Sequence, residues 1–132
     1  MVRVFLDANV LFSASYRENN GLLRLWKIPN VELITSFYAL DEAQRNVVND
    51  TQLNRLNQLP LIVATPIWTQ DHLPEGVVIA DKDVPILLDA IHLQATHLIT
   101  GDKQHFGALY GEVIGGVLIQ PPIEYLASRT SQ

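Results

Sequence analysis

The sequence predicts an α/β protein with a mainly parallel β-sheet that helices cover on both faces. Short runs of β-forming residues alternate along the chain with segments of helical periodicity, and this alternation is typical of parallel strands joined by crossover helices. The chain has 132 residues, of which 48% are hydrophobic and 17% charged. Because this length and composition suit one globular domain with its own core, we expect residues 1–132 to form a single domain.

The first half of the chain predicts two strands and four helical segments. Both strands are short and rich in β-forming residues, and the first is followed at once by Asp7 or Asn9 as a helix cap. Ser36 is the expected cap of a longer helix with an apolar stripe. The strands are residues 2–6 and 31–35, and the helices are residues 8–14, 22–26, 37–48 and 52–59.

The second half predicts two further strands, three helices and a frayed end. Segments 61–64 and 77–79 are both strand-like, and the sequence leaves open which of them joins the sheet. Pro85 in a first helical turn places the start of a largely buried helix at Asp83. The strands are residues 97–100 and 117–119, the helices are residues 86–95, 103–109 and 121–126, and the frayed tail is residues 128–132.

Four acidic residues lie where such a sheet would bring them to one edge. They are Asp7 directly after the first strand, Glu42 in the helix at 37–48, Asp83 at a helix start and Asp102 just after the strand at 97–100. In an open α/β sheet the ligand crevice lies beyond the carboxyl ends of the strands. Carboxylates gathered there would hold a hard divalent cation. The four acids therefore predict a metal site and phosphodiester chemistry.

Each acid also has a structural interpretation that the sequence leaves open. Asp7 and Asp83 are placed to cap the helices that follow them, and Asp102 is placed to form a turn. Glu42 lies opposite the apolar stripe of its helix, where a solvated glutamate is the commonest outcome. The rival acids are Asp41 beside Glu42 and Asp81 beside Asp83.

Polar and basic neighbours are expected to assist these acids. Asn9 could orient the Asp7 carboxylate by a hydrogen bond, and Thr100 lies close to Asp102 in the chain. The formal net charge of -5 argues against sequence-blind adhesion to nucleic acid, but bound divalent cations would reverse the local sign at the cluster. The nearby basic residues either contact phosphates or are solvated surface charges, and they are Arg17, Arg45, Lys82 and Lys103.

The sequence excludes several other kinds of site. It contains no cysteine, which excludes disulfides and thiolate–zinc sites. No apolar run approaches the length that spans a bilayer, and the N-terminal apolar segment is too short for a signal peptide, so a cytoplasmic protein is expected. The histidines lack metal-ligand spacing, and His105, the one close to a candidate acid, is interpreted as a helix residue.

At these positions the chain resembles the PIN-domain nucleases over nearly its full length. The resemblance is carried by residues 5–11 (FLDANVL), residues 35–45 with Asp41, Glu42 and Arg45, residues 82–90 (KDVPILLDA), residues 98–106 (LITGDKQHF) and residues 119–126 (IQPPIEYL). The first and fourth segments are the most specific and the second is the loosest. Within the family, the chain is similar to the VapC-like toxins of prokaryotic toxin–antitoxin pairs.

The resemblance implies a three-layer α/β/α fold and a ribonuclease that needs Mg²⁺ or Mn²⁺. Carried over by motif, it makes the catalytic and metal-binding acids Asp7, Glu42, Asp83 and Asp102, with Asn9 and Thr100 as supporting groups. The implied partners are an RNA substrate, a cognate antitoxin protein and a second copy of the chain. Trp26 and residues 22–23 are candidates for the dimer surface, although core packing is their commoner fate. The chain departs from the family pattern at His105, where many members have another acid.

Two functions of other classes remain alternatives. A PIN-like domain could bind RNA or a protein partner without catalysis, and then substitution of the acids would leave binding intact. An α/β phosphohydrolase could use Asp7 as a covalent nucleophile on a small phosphate ester. That chemistry is disfavoured because it usually needs a second Asp at the position that Asn9 occupies.

Overall fold

The computed structural model describes residues 1–130, which form a six-stranded sheet with helices packed on both faces. The strands are β1 (Val2–Leu6), β2 (Val31–Ser36), β3 (Ile62–Ala64), β4 (His97–Ile99), β5 (Val113–Ile114) and β6 (Val117–Gln120). The α-helices are α1 (Ala8–Ser15), α2 (Phe37–Asn46), α3 (Asp50–Asn57), α4 (Val84–His92), α5 (Lys103–Phe106) and α6 (Pro122–Thr130). The 3₁₀ helices are Gly21–Lys27, Asp81–Asp83 and Gly107–Leu109.

The strand order confirms the expected mainly parallel sheet. Across the described residues the order is β3-β2-β1-β4-β6-β5, and every neighbouring pair is parallel except β5 with β6. From β1 the chain adds β2 and β3 on one side, and β4 and β6 on the other. The direction of strand addition therefore reverses between β1 and β4. In open α/β sheets, ligands bind beyond the carboxyl ends of the strands at such a point.

The core consists of two apolar clusters, one on each face of the sheet. β1 contributes to both, because successive side chains of a strand point to opposite faces. Val4 and Leu6 belong to the first cluster and Phe5 to the second, and all three are fully buried. Side chains of α1, α3 and α6 complete the first cluster, and side chains of α4 complete the second. This packing fixes the carboxyl end of β1 inside the protein.

The structure decides between the two strand-like segments of the middle region. Residues 61–64 supply β3, which pairs with β2 through Ile34 and Ile62. Val77 and Ile79 lie outside the strands of the sheet and pack against the second apolar cluster. Their β-forming side chains therefore serve burial, which a hydrophobic pattern alone cannot distinguish from strand pairing.

Several helical predictions differ from the structure in type or length. The helix predicted at 103–109 is α5 followed by the 3₁₀ helix Gly107–Leu109. The segment predicted as a helix at 22–26 is part of the 3₁₀ helix Gly21–Lys27. α6 continues to Thr130 and so includes most of the tail that was expected to fray, while Ser131 and Gln132 lie outside the described residues. In the part of the chain that the structure describes, no helix is long and apolar enough to cross a membrane.

Candidate metal centre

A cleft of about 340 Å³ opens beside the carboxyl end of β1. Its lining includes the four acids singled out in the sequence, Asp7, Glu42, Asp83 and Asp102, together with Asn9 and Lys82. The acids come from four separate parts of the chain, namely the β1–α1 junction, α2, the residue before α4 and the β4–α5 junction. The fold therefore brings them to one place, at the edge of the sheet where ligands are expected.

Asp7 is held in position by the sheet and by its own hydrogen bonds. Its backbone N–H donates to the carbonyl of Ile99, the last residue of β4, at 3.0 Å. The side chain is buried, and its Oδ1 accepts a hydrogen bond of 2.7 Å from the N–H of Ala8. Its Oδ2 accepts from the Thr100 hydroxyl at 2.8 Å and from the Asn9 amide at 3.0 Å. Both carboxylate oxygens therefore have fixed directions.

Asn9 links the ends of β1 and β4 next to Asp7. Its Nδ2 also lies 3.2 Å from Thr100 Oγ1, and its Oδ1 accepts a hydrogen bond of 2.7 Å from the N–H of Gly101. A Cβ at Gly101 would crowd Asn9 Oδ1 at 3.2 Å, so glycine permits this approach. Thr100 Oγ1 in turn accepts from the N–H of Asp102 at 3.2 Å. Asn9 and Thr100 thus occupy orienting positions beside two of the acids.

Burial raises the pKa of Asp7 from its ordinary value of 3.8 to about 6. The hydrogen bonds from Thr100 and Ala8 oppose the rise because they stabilise the ionised carboxylate. The negative charges of Glu42 and Asp83 add to it. Ionised Asp7 therefore carries a free-energy cost that a bound cation would offset.

Asp83 and Asp102, which line the cleft, form a compact group with His105. Nδ1 of His105 lies 2.8 Å from Asp83 Oδ2 and 2.9 Å from Asp102 Oδ2. One donor atom from each residue lies within 4.8 Å of the other two. The two contacts are close, yet neither has the alignment of a hydrogen bond, and Asp83 Oδ2 and His105 Nδ1 are buried without an aligned partner. The contacts are therefore electrostatic contacts of the kind that a shared cation would complete.

Asp83 occupies the N-cap position of α4, as expected, but its side chain does not act as a cap, since it makes no capping hydrogen bond to that helix. The residue is 6% exposed and lies in the cleft, whereas its rival Asp81 is exposed. Burial raises the pKa of Asp83, the neighbouring His105 opposes that rise, and the charge of Asp102 adds to it. Asp102 does cap a helix, since its Oδ1 accepts from the N–H of His105 at 3.1 Å.

Glu42, rather than Asp41, faces the cleft. α2 begins where Ser36 caps the N–H of Ala39 at 3.2 Å, and the helix packs its buried alanine face inward. This orientation places Glu42 in the cleft lining. The Asp41 side chain is 62% exposed and pairs with Arg45 at 3.0 Å. Helical periodicity indicates a solvent-exposed Glu42, but in the structure Asp41 is the acid that is exposed to solvent.

Lys82 and Arg17 are basic residues beside the acids. Lys82 lines the cleft, and its backbone carbonyl accepts a hydrogen bond of 3.0 Å from the Tyr38 hydroxyl, which ties this segment to α2. Arg17 lines a groove that adjoins the cleft, because Phe12 and Ser13 belong to both. Lys82 and Arg17 therefore put one positive charge at the cleft and one at the adjoining groove.

Arg45 and Lys103 occupy more exposed positions. The Arg45 side chain is 70% exposed and is engaged by Asp41 on the outer side of α2. Lys103 is exposed at the start of α5, next to Asp102 in the chain. Contact of either residue with a phosphate stays a prediction.

His105 is a helix residue, as expected, but its contacts with the acids were not predicted from the sequence. It belongs to α5, and its ring contacts both Asp83 and Asp102 at the cleft. Two signals in the sequence could have identified it. It lies three residues after Asp102, a spacing that brings side chains together on a helix, and it stands where the PIN-domain pattern has another acid.

Comparison with known proteins supports the fold. No protein-family model and no curated protein matches the chain. Among solved structures, the chain is similar to one in the crystal structure of VapBC2 from Rickettsia felis bound to a DNA fragment from their promoter. The TM-score is 0.66, the sequence identity is 16%, and the match covers 91% of this chain and 98% of that chain. Because the identity is this low, the likeness concerns the fold alone. The chain therefore has the PIN-like α/β/α fold that its motifs predict.

Proposed function

We propose that this protein is a ribonuclease that requires a divalent metal, Mg²⁺ or Mn²⁺, and hydrolyses RNA phosphodiester bonds. The observation that carries the proposal is the convergence of four carboxylates from separate chain segments on one cleft. Like charges repel and burial disfavours ionisation, so this arrangement is unfavourable without a cation. The proposed catalytic and metal-binding residues are Asp7, Glu42, Asp83 and Asp102.

The donor atoms of the cleft fit such a metal. They are mostly carboxylate oxygens, the ligand type that Mg²⁺ and Mn²⁺ prefer, and Asp83 Oδ2 is buried there without an aligned partner. A bound ion would stabilise charge on the phosphate and lower the pKa of a bound water. The protein's own part is to orient Asp7 through Asn9 and Thr100. Lys82 is proposed to bind a substrate phosphate.

The RNA strand is proposed to continue from the cleft into the adjoining groove. Phe12 and Ser13 join the two, and the groove leads to Tyr16 and Arg17. The Tyr16 side chain is 62% exposed, so its ring is accessible to an unpaired base, and Arg17 supplies a positive charge. Although the chain is acidic overall, this path would offer the RNA an aromatic ring and a positive charge next to the cleft.

We further propose that the enzyme is a cytoplasmic toxin held in check by a cognate antitoxin protein. The proposal is supported by the VapC-like motifs and by the fold likeness to the VapBC2 structure. Induced expression of the wild-type chain in bacterial cells should arrest growth and degrade RNA. Expression of Asp7→Asn at the same level should do neither, and growth arrest by that variant would contradict an enzymatic toxin.

A homodimer is also proposed, but its surface should not centre on Trp26. The Trp26 Nε1–H donates to the Pro60 carbonyl at 2.7 Å, and the ring packs against the first apolar cluster. Trp26 therefore has the core-packed role that such residues commonly take. Light scattering should give about twice the chain mass of 14.8 kDa, and a monomer at high protein concentration would contradict the dimer.

The binding module without catalysis is the main alternative, and the phosphohydrolase is the weaker one. The phosphohydrolase is weaker because its chemistry usually needs a second Asp where this chain has Asn9, whose amide donates to Asp7 Oδ2. A binding module would need neither a metal nor the ionised form of its acids. Cleavage assays therefore separate these functions.

The test is cleavage of a panel of structured and unstructured RNAs with Mg²⁺, Mn²⁺ or EDTA. Glu42→Gln removes a cleft charge and should abolish most cleavage, while Asp41→Asn is the matched control, since it changes the adjacent exposed acid of the same helix. We expect Asp41→Asn to cleave at the wild-type rate. Equal activity of Glu42→Gln and wild type, or undiminished cleavage in EDTA, would overturn the proposal.

A further inference from the structure

We propose that His105 is itself a metal ligand, so that Asp83, Asp102 and His105 form a mixed nitrogen and oxygen site that binds a divalent transition ion more tightly than Mg²⁺. The inference rests on the proposed function in placing the metal in the cleft, and it deepens that function by assigning the kind of ion. It concerns a residue at which this chain departs from the acidic pattern. Three observations carry it.

The first observation is the spacing of the three donor atoms. His105 Nδ1 lies 2.8 Å and 2.9 Å from the two carboxylate oxygens. Neighbouring ligands at right angles around an ion, each about 2.1 Å from it, lie about 3.0 Å apart. The ring nitrogen therefore already lies at nearly the separation of neighbouring ligands from both oxygens, and all three donor atoms lie within 4.8 Å of one another.

The second observation is that these short ion-pair contacts lack the alignment of a good hydrogen bond. Neither carboxylate oxygen is aligned with the ring nitrogen, and both Asp83 Oδ2 and His105 Nδ1 are buried without an aligned partner. Nδ1 has one hydrogen or one lone pair, so it cannot satisfy two oxygens by donation alone. Since Asp83 is 6% exposed, water has little access to it. A cation bound by all three atoms would satisfy them together.

The third observation is the contrast in donor type across the cleft. Asp7 and Glu42 offer only oxygen, while His105 adds an imidazole nitrogen to Asp83 and Asp102. Mg²⁺ favours oxygen ligands and keeps several waters. First-row transition ions bind imidazole readily. Exchange of an acid for histidine at this position therefore shifts the preference of the site away from Mg²⁺.

The test uses Mn²⁺ as the probe, because its unpaired electrons report a directly bound nitrogen. Pulsed electron paramagnetic resonance of the Mn²⁺-loaded full chain should show coupling to an imidazole ¹⁴N in wild type. The coupling should disappear in His105→Gln and persist in His72→Gln, which changes an exposed histidine outside the cleft. Calorimetry should show Mn²⁺ affinity about tenfold or more lower in His105→Gln.

A second variant makes the metal preference testable in the opposite direction. His105→Asp restores an all-oxygen donor set, so the ratio of Mn²⁺ to Mg²⁺ affinity should fall relative to wild type. Circular dichroism of each variant establishes that it is folded. An unchanged ratio in folded His105→Asp, or Mn²⁺ bound by wild type without nitrogen coupling, would overturn the assignment. Failure of wild type to bind Mn²⁺ would overturn it as well.

Cleavage of RNA by the same preparations separates this inference from the proposed function. Nitrogen coupling without RNA cleavage would support His105 as a metal ligand and contradict the proposed nuclease function. Cleavage that depends on metal, with no nitrogen coupling, would support the nuclease and remove His105 from the coordination sphere.

Discussion

The two sides of the cleft are built in different ways. Around Asp7, both carboxylate oxygens accept hydrogen bonds, and Asn9 and Thr100 connect the ends of two neighbouring strands. Around Asp83, a buried carboxylate oxygen has only an unaligned contact with His105. Both oxygens of Asp7 therefore have hydrogen-bond donors within the protein, whereas Asp83 Oδ2 has a close ion-pair contact without hydrogen-bond alignment.

This difference indicates separate roles in one site. The Asp7 side has a fixed geometry, which favours catalysis because no reorganisation is needed when a charged group binds. Around Asp83, charged groups lie close together but their contacts are not aligned as hydrogen bonds. This arrangement favours binding of an ion. Substitutions on the two sides should therefore fail in different ways, and the effects should differ in size.

A large loss of cleavage should come from removing the charge of Asp83. Asp83→Asn removes a buried charge from the group with Asp102 and His105, so metal binding and RNA cleavage should both be lost. We expect a fall in cleavage rate of about 10³-fold, which corresponds to several kcal/mol of transition-state stabilisation. Single-turnover assays at saturating RNA measure it, and Asp81→Asn is the exposed control. A rate within a few-fold of wild type would remove Asp83 from the site.

A smaller effect should come from disturbing the hydrogen-bonded side. Asn9→Ala leaves all four carboxylates but removes one of the two hydrogen bonds to Asp7 Oδ2 and the acceptor of the Gly101 N–H. We expect a loss of about 10–100-fold in cleavage, the usual range for groups that orient metal ligands. Asn54→Ala, on the exposed surface of α3, should have no effect. If Asn9→Ala cleaved RNA at the wild-type rate, the Asp7 geometry would not limit catalysis.

The pH dependence of stability should sharpen the comparison without any RNA. The pKa of Asp7 is raised from 3.8 to about 6 on folding, so the folded state holds its proton more tightly. Without metal, stability should then fall as pH rises from about 4 to 6 and stay level above that window, as far as Asp7 is concerned. The Asp7→Asn variant has no carboxylate to ionise at this position, so it should not lose stability in this pH window.

Its free energy of unfolding should exceed that of wild type by about 1–3 kcal/mol at pH 7 and by little at pH 4. Urea unfolding in EDTA at the two pH values measures this. If Asp7→Asn were more stable than wild type by the same amount at pH 4 and pH 7, burial of the ionised Asp7 carboxylate would not cost stability.

The smallest effect should come from the basic residue in the cleft. Lys82→Ala should weaken RNA binding by a few-fold and lower the salt dependence by about one ion, as expected for one phosphate contact. Arg45→Ala should change binding less, because its side chain already pairs with Asp41 outside the cleft. Filter binding over a salt series measures both variants. An unchanged salt slope for Lys82→Ala would remove Lys82 from the phosphate contacts.

The sheet and its order of elements could be predicted from local pattern. Residues 2–6 form a short buried strand, and the acid after it ends the apolar run, so β1 and the position of Asp7 were readable from the chain. The hairpin of β5 and β6 was missed, although Gly115 and Gly116 both adopt the positive φ that a tight hairpin turn requires. Two strand residues were too few to register as a periodic pattern.

The site could be predicted only in part, because some of its contacts depend on how helices pack in the folded protein. Helical periodicity put Glu42 on the exposed side, and only the packing of α2 shows that Asp41 takes that position. The spacing of His105 from Asp102 was a signal in the sequence, but its contact with Asp83 was not, because the two residues are distant in sequence and meet only through the fold. Local patterns find residues at the ends of strands more easily than residues joined across elements.

The most direct test of the account is the RNA cleavage rate of Asp7→Asn against wild type, each free of contaminating nuclease and supplied with Mn²⁺ or EDTA. The substitution keeps the shape of the side chain and removes the charge that an ion would need. The account predicts metal-dependent cleavage by wild type and near-complete loss in the folded variant. Cleavage by Asp7→Asn at the wild-type rate would contradict the metal-dependent nuclease and favour a domain that binds without catalysis.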